Sequence, residues 1–272
     1  MDPFRKFLVK PTKSTANEMK LKDWDPQYSG NKSKTEMLTE MEQFSKRISE
    51  LQYKLFAANS KSLLIILQGA DASGKDGTIR QVMGALNPQN CYVKSFKVPN
   101  ETELAHDYLW RIHTEIPSKG HIAIFNRSHY EDIIEPSVNN SVSKDHLDLR
   151  YRQINDFERY LSENNVTIIK FFLHISKIEQ KARLQERIQD PTKQWKISES
   201  DLVSHKNWGK YMDAYEKILS MCSRKWAPWY IIPANIKHFR NWAISYIILK
   251  KLESMKLEFP RVKIDPSEFI ID

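Results

Sequence analysis

Gly69-Ala70-Asp71-Ala72-Ser73-Gly74-Lys75 has the G-x-x-x-x-G-K spacing of a loop that wraps phosphate. Glycines let the backbone turn its N–H groups inward, and a lysine ammonium adds a point charge for bridging oxygens. The position after the lysine, where such loops carry a hydroxyl, is Asp76, and a second carboxylate, Asp71, lies inside the loop. An anion-binding turn that holds two anionic side chains requires a cation. Magnesium is expected there, with manganese as a substitute and Asp71 or Asp76 as its ligand. A carboxylate near the transferring phosphoryl could also orient or deprotonate an acceptor phosphate. Asp76 has two readings, a phosphate-site residue and an acid that balances the dipole of the next helix. Ala72, Ser73, Gly77 and Thr78 complete the run expected to touch phosphate.

A second cluster, Asn126-Arg127-Ser128-His129-Tyr130-Glu131-Asp132, follows the apolar run at 122–125. Arg127 offers a planar fork to phosphate oxygens. Asn126 is neutral where an acidic residue is usual, so Glu131, one turn on, could take that role, with Asn126 near the nucleotide. His129 and Tyr130 read as structural. A third cluster runs from Lys181 to Lys196. Arg183 and Arg187 are four apart and share a helix face, and Lys193, Trp195 and Lys196 follow in a polar loop. As a lid, this run would neutralise charge and exclude water; as a solvated face it would do neither. Trp195 could pack on a base or on the lid's underside. Lys94 and Lys97 lie near a predicted strand end. Asp107 and Arg111 could meet an acceptor nucleotide or pair with each other. Phosphoryl transfer needs positioning and charge neutralisation, so no Ser or Cys nucleophile is expected.

Bringing these clusters together requires a sheet whose strands end at one place. Apolar or β-branched runs at 63–67, 92–96, 122–125, 167–175 and 229–232 read as strands. Helical patterns at 104–113, 147–161, 202–221 and 241–253 alternate with them, as does a helix opened by Ser176-x-x-Glu179 and running through Arg187. This alternation predicts an α/β fold with a parallel sheet covered on both faces and ligands at the strands' carboxyl ends. Ser33-x-x-Glu36 is a capping box that opens an earlier helix. Its seam of Met37, Met41, Phe44, Ile48, Leu51 and Leu55 suits packing either on this chain's own core or on another subunit. The predicted organisation is an irregular surface arm over 1–32 and a single α/β domain over 33–258. Its lid falls at about 183–205 and a tail at 259–272.

An apolar content of 40% over 272 residues is ample for one sizeable core. Lys and Arg number 42 against 34 Asp and Glu, a net charge of +8 that attracts polyanions, whether nucleic acid or another phosphate polymer. Two distant cysteines, Cys91 and Cys222, form neither a disulfide framework nor a metal motif. With no signal-like or membrane-spanning run, a cytoplasmic protein is expected.

The runs GADASGKDGT, ELAHDYLWRIH with the following Pro117 and Gly120, FNRSHYED, PTKQWKIS and APWYIIPA, in that order, resemble the second family of polyphosphate kinases over about residues 30–255. That family's loop pattern, G-x-D-x-x-G-K-x-G-T, is met by Gly69, Asp71, Gly74, Lys75, Gly77 and Thr78, so the missing hydroxyl at Asp76 is a family trait. The resemblance implies a thymidylate-kinase-like P-loop fold with a helical lid. It implies reversible, magnesium-dependent phosphoryl transfer from inorganic polyphosphate to AMP or ADP, giving ADP or ATP. It further implies that Asp71 organises the metal and the acceptor phosphate, and that Arg127 with Arg183 and Arg187 handles the polyanion. The HYED variant resembles the branch that accepts both AMP and ADP. A homodimer or homotetramer is implied, with neither nucleic acid nor membrane as a partner. Two other readings stand beside it: an ATP-dependent nucleoside or nucleotide kinase, against which Asp76 counts, and a non-enzymatic polyanion-binding module, which would want aromatics on an exposed strand.

Overall fold

Every residue of β1 (Ser62–Gln68) is buried, a state that demands strands on both edges and helices on both faces. The computed structural model, which describes residues 4–11, 19–84 and 86–261, supplies both. β1 pairs in parallel with β3 (Ile122–Asn126) on one side and β4 (Val166–His174) on the other. β2 (Cys91–Ser95) flanks β3, and β5 (Trp229–Pro233) flanks β4, which gives the order β2-β3-β1-β4-β5. The helices in chain order are α1 (Lys34–Ala58), α2 (Lys75–Thr78), α3 (Glu101–Leu104), α4 (Trp110–His113), α5 (Glu131–Asn139), α6 (Lys144–Glu163), α7 (Lys177–Gln189), α8 (Glu199–Lys206), α9 (Trp208–Cys222) and α10 (Lys237–Ser254).

The pleat divides the sheet's side chains between two cores. Leu63, Ile65 and Leu67 pack with Leu51 and Leu55 of α1 and Ile244 and Ile248 of α10. Leu64 and Ile66 face the other way, onto Ile133 of α5, Ile154 of α6 and Ile218 of α9. The seam of α1 is therefore spent within this chain. Ser33 closes the capping box, its Oγ accepting from the Glu36 N–H while Glu36 Oε2 accepts from the Ser33 N–H at 2.7 Å. The crossover from β1 leads toward β2, whereas that from β3 leads past β1 to β4. The topology thus reverses at β1, where α/β sheets open a crevice for ligands. Register brings the ends level: Leu67 lies opposite both Asn126 and Phe171.

Four segments differ from the sequence expectation. The arm is irregular but not superficial: Phe4, Phe7, Val9 and Leu21 are buried. Leu8 forms an antiparallel bridge to Tyr230, and the Val9 N–H donates to the Trp229 carbonyl at 2.9 Å. Isolated apolar residues among lysines show no periodicity, so only the open edge of β5 reveals their partner. The helix expected over 104–113 is two short helices, because Asp107 turns its carboxylate to cap the Leu109 N–H at 3.0 Å. The helix expected over 202–221 breaks at Asn207. Helix α5, with Pro136 inside it, has no counterpart in the sequence reading. The expected tail lies outside the described residues beyond 261. Among the described residues no helix is long and apolar enough to cross a membrane.

Candidate active site at the carboxyl ends of the sheet

The turn after β1 is built on glycines for steric reasons. A Cβ on Gly69 (φ +150°) would fall 2.8 Å from the Leu173 carbonyl, and one on Gly74 (φ +101°) would fall 2.0 Å from Arg240 Nη1. Ala72 holds φ +62° without being glycine. The Ser73 N–H donates to the Ala70 carbonyl and the Thr78 N–H to the Gly74 carbonyl, which close the loop and start α2. That helix widens at once into a π-helical stretch, Ile79–Met83, a deviation common at functional positions. Lys75 Nζ folds back over the turn, donating to the carbonyls of Gly69 at 2.6 Å and Ala70 at 3.3 Å. Burial lowers its pKa, the nearby Arg127 cation lowers it further, and Asp71, Glu131 and Asp76 oppose both.

Arg127 leaves β3 with φ +64°, a costly geometry for a long side chain. It aims Nη2 at Asp71 Oδ1, 2.8 Å away. Burial alone would raise the Asp71 carboxyl, but Lys75 and Arg127 outweigh it and hold the pKa below its usual value. Glu131, at the start of α5, goes the other way: burial pushes its carboxyl up despite the same two cations. Asp71, Arg127 and Glu131 line one cavity with Glu135 of α5 and Tyr211 and Tyr215 of α9. Asp76 follows the loop lysine and is exposed. Its Oδ1 accepts from Asn126 Nδ2 at 2.9 Å and its Oδ2 lies 3.5 Å from Lys196 Nζ. These partners overcome partial burial and keep Asp76 below its ordinary pKa. Asp76 therefore ties the loop to β3 and to the lid as well as sitting in the first turn of α2.

Several expected contacts are arranged differently. Arg183 is no free lid arginine. Its Nε donates to Glu179, Nη1 to the Ala72 and Ser73 carbonyls, and Nη2 to the carbonyls of Ala234 and Asn235. All five guanidinium hydrogens are thus committed to the protein, and the residue braces the loop from behind. Arg187 reaches Asp201 at 3.7 Å, joining α7 to α8. Lys193 pairs with Glu186 and Asp190, and Trp195, 77% exposed, donates its indole N–H to the Thr192 carbonyl. Lys94 pairs with Glu115, while Lys97 is exposed. Asp107 and Arg111 do not meet. Arg111 turns inward to Asp132 at 3.3 Å and to the Lys97 carbonyl at 2.9 Å, and Asp107 lines a separate groove with Trp110 and His113. The hydroxyls of Ser73 and Thr78 are wholly buried and without partners among the described residues, so neither faces the cavity. His129 and Tyr130 are structural: Glu158 Oε1 lies 3.2 Å from His129 Nε2 and accepts from the Tyr130 hydroxyl at 2.8 Å.

Other residues join the site with little sequence signal. Gln180 donates to the Asp71 carbonyl at 3.2 Å and contacts His205 Nδ1 at 2.8 Å, linking α8 to the loop. Its only advertisement is its place three residues before Arg183 on one helix face. Tyr211, Tyr215 and Arg240 lie on later helices whose patterns read as ordinary amphipathic faces. Among the described residues no group of three or more His, Cys, Asp or Glu gathers as a metal cage. Asp71 and Glu131 nonetheless offer hard oxygens in one cavity.

A family model described as Polyphosphate kinase 2 matches residues 31–260. The AMP/ADP-polyphosphate phosphotransferase of Meiothermus ruber is 42% identical over 272 residues, covering 98% of this chain and 100% of that protein. The ADP-polyphosphate phosphotransferase of Rhodopseudomonas palustris is 42% identical over 249 residues, covering 87% of this chain and 85% of that protein. Polyphosphate Kinase 2 from Arthrobacter aurescens TC1, a crystal structure, superposes with a TM-score of 0.89 at 36% identity, over 96% of this chain and 95% of the other.

Proposed function

The chain belongs to the polyphosphate kinase 2 family, and on that premise we propose that it is a phosphotransferase moving a phosphoryl group from inorganic polyphosphate to AMP or ADP. The observation that carries this reading is the convergence of Asp71, Lys75, Arg127 and Glu131 at the ends of β1 and β3. The P–O bond joining the terminal phosphoryl to polyphosphate breaks, and its electron pair stays on the shortened polymer. A new P–O bond forms to a phosphate oxygen of the nucleotide. Such a step needs charge held in place more than it needs covalent chemistry.

The roles of individual residues follow from charge and reach. Lys75, released from the loop carbonyls, supplies an ammonium to bridging oxygens, and Arg127 supplies a fork to the phosphoryl in flight. Asp71, held ionised, orients the acceptor phosphate. Glu131 balances the two cations while the site lacks its anionic ligand. Arg187, Lys193, Lys196 and Trp195, on and after α7, form the closing side, while Lys94, Lys97 and Asn126 extend the polar surface beyond β2 and β3. Magnesium suits the donor set, because it takes one or two carboxylates together with substrate phosphates and keeps several waters. Asp71 is the residue proposed to hold it, with manganese as a substitute. When bound, the ion would neutralise charge on the phosphates. A homodimer or homotetramer is part of the same proposal.

The test is a coupled assay for ATP and ADP formation, with AMP and ADP supplied separately, polyphosphate as donor and magnesium present. Activity with both acceptors is expected, and activity with ADP alone would narrow the acceptor range. Asp71→Asn and Lys75→Ala should each lower kcat by about 10²-fold or more, the scale set by loss of one electrostatic contact in a transfer site. If both variants kept most of their activity, the reading would fail. Activity with ATP and a nucleoside, and none with polyphosphate, would replace it with an ordinary nucleoside kinase.

A further inference from the structure

Arg240 is a buried cation for which no carboxylate partner is found among the described residues. It sits on α10 with 3% of its surface exposed. Its Nε and Nη2 donate to Asn241 Oδ1 at 3.0 and 2.9 Å, and Nη1 donates to the Ser73 carbonyl at 3.3 Å. The neighbouring charge is another cation, Arg183, already matched by Glu179 at 2.7 Å. Burial and then Arg183 push the Arg240 guanidinium down to about 10. Taking a charge out of water without a counter-ion is expensive. Folds retain such a charge where something else supplies the opposite sign.

The place where that sign would arrive is defined by the loop. The Arg240 guanidinium lies directly behind Gly74 and near Gly77, at 2.0 and 3.5 Å from the Cβ each would carry. Ser73 offers its carbonyl to Arg240 and Arg183 together. In a trans peptide the carbonyl and the following N–H point opposite ways. Drawing the Ser73 carbonyl inward therefore turns the Gly74 N–H outward, to the side where phosphate would lie. We propose that Arg240 is the counter-charge for bound polyphosphate, acting through the loop: it aims the Gly74 amide at the polyanion and sets an unmatched positive charge behind it. The residue is a positioning residue, and the inference rests on the functional reading above.

Tripolyphosphate is a suitable probe, with binding followed by calorimetry from about 50 to 200 mM salt, the range over which phosphate contacts register. Arg240→Met should weaken binding roughly tenfold and flatten the log–log salt slope by about one, the change expected for loss of one cation acting on phosphate. Its unliganded unfolding midpoint should hold or rise, since a desolvated charge has gone, while the upward shift caused by tripolyphosphate shrinks. KM for polyphosphate should rise while KM for the nucleotide stays. Arg240→Lys keeps the charge and should keep the wild-type slope; Arg240→Gln replaces the methionine variant if that one does not fold. A lower unliganded midpoint with wild-type affinity and slope would make Arg240 a brace only and overturn the inference. If the wild-type protein itself ignored tripolyphosphate, the functional reading would fall and this inference with it. Normal wild-type binding with unaffected variants sinks this inference alone.

Discussion

Asp71 and Glu131 face the same two cations, Lys75 and Arg127, yet their acidities move apart. The difference lies in how burial is offset. At Asp71 the charges of Lys75 and then Arg127 outweigh burial, and a direct 2.8 Å hydrogen bond from Arg127 adds to them. Glu131 is more deeply desolvated and is raised by burial before any partner offsets it. The stability consequences have opposite signs. A carboxyl raised in the folded state helps folding only while protonated, so that help is complete below the ordinary value of 4.5 and lost as pH rises. Glu131→Gln should therefore raise the unfolding midpoint at neutral pH, with the gain vanishing as the pH falls toward 4.5. Asp71, lowered in the folded state, contributes above its ordinary value of 3.8. Asp71→Asn should lower the midpoint at neutral pH, and its deficit should close as the pH drops below that value. Thermal unfolding of both variants from neutral pH down through the ordinary values of both carboxyl groups reads the two trends. The same sign for both would contradict the proposed division of environment.

At the scale of elements, the turn that carries Arg127 and Glu131 is clamped from beneath. Lys170 of β4 and Glu158 of α6 are both fully buried and meet at 2.5 Å. Lys170 also donates to the Tyr130 hydroxyl at 2.7 Å and to the Cys222 carbonyl at 2.9 Å. Three secondary-structure elements thus converge under one turn. Removing one partner of a buried ion pair strands the other charge, so Lys170→Met should cost about 3–5 kcal/mol in chemical denaturation. Lys170→Met with Glu158→Leu should recover much of that loss, because neither charge remains. If the double variant were no more stable than the single one, the pair would not be acting as a unit. This clamp also marks what a sequence can convey. Apolar runs, the two serine caps and the glycine loop announce themselves by local spacing, and α1, β1, β3 and α7 form as those patterns predict. A lysine inside the run TIIKFFLH carries no mark of its distant glutamate. Arg183 is legible as a basic residue near the loop, but the four carbonyls that absorb its donors are set by tertiary packing. Arg240 is legible as nothing more than one basic residue on a helix.

Across the whole molecule, both cores depend on segments distant in sequence, and the N-terminal arm is the clearest case. Phe7 is buried against Tyr28 and Phe239, with ring centroids at 5.8 and 6.0 Å. Phe7→Ala should destabilise the protein by about 3–5 kcal/mol, as large-to-small changes in packed cores do, with the loss read by urea denaturation. An effect within about 0.5 kcal/mol would return the arm to the surface position its composition suggests. The same arm lays Leu8 and Val9 along the outer rim of β5. Of the two rims of this sheet, only that of β2 stays open among the described residues. Two copies joining strand to strand there would use up every vacant rim between them, so accretion ends at a pair and no fibril can grow by that route.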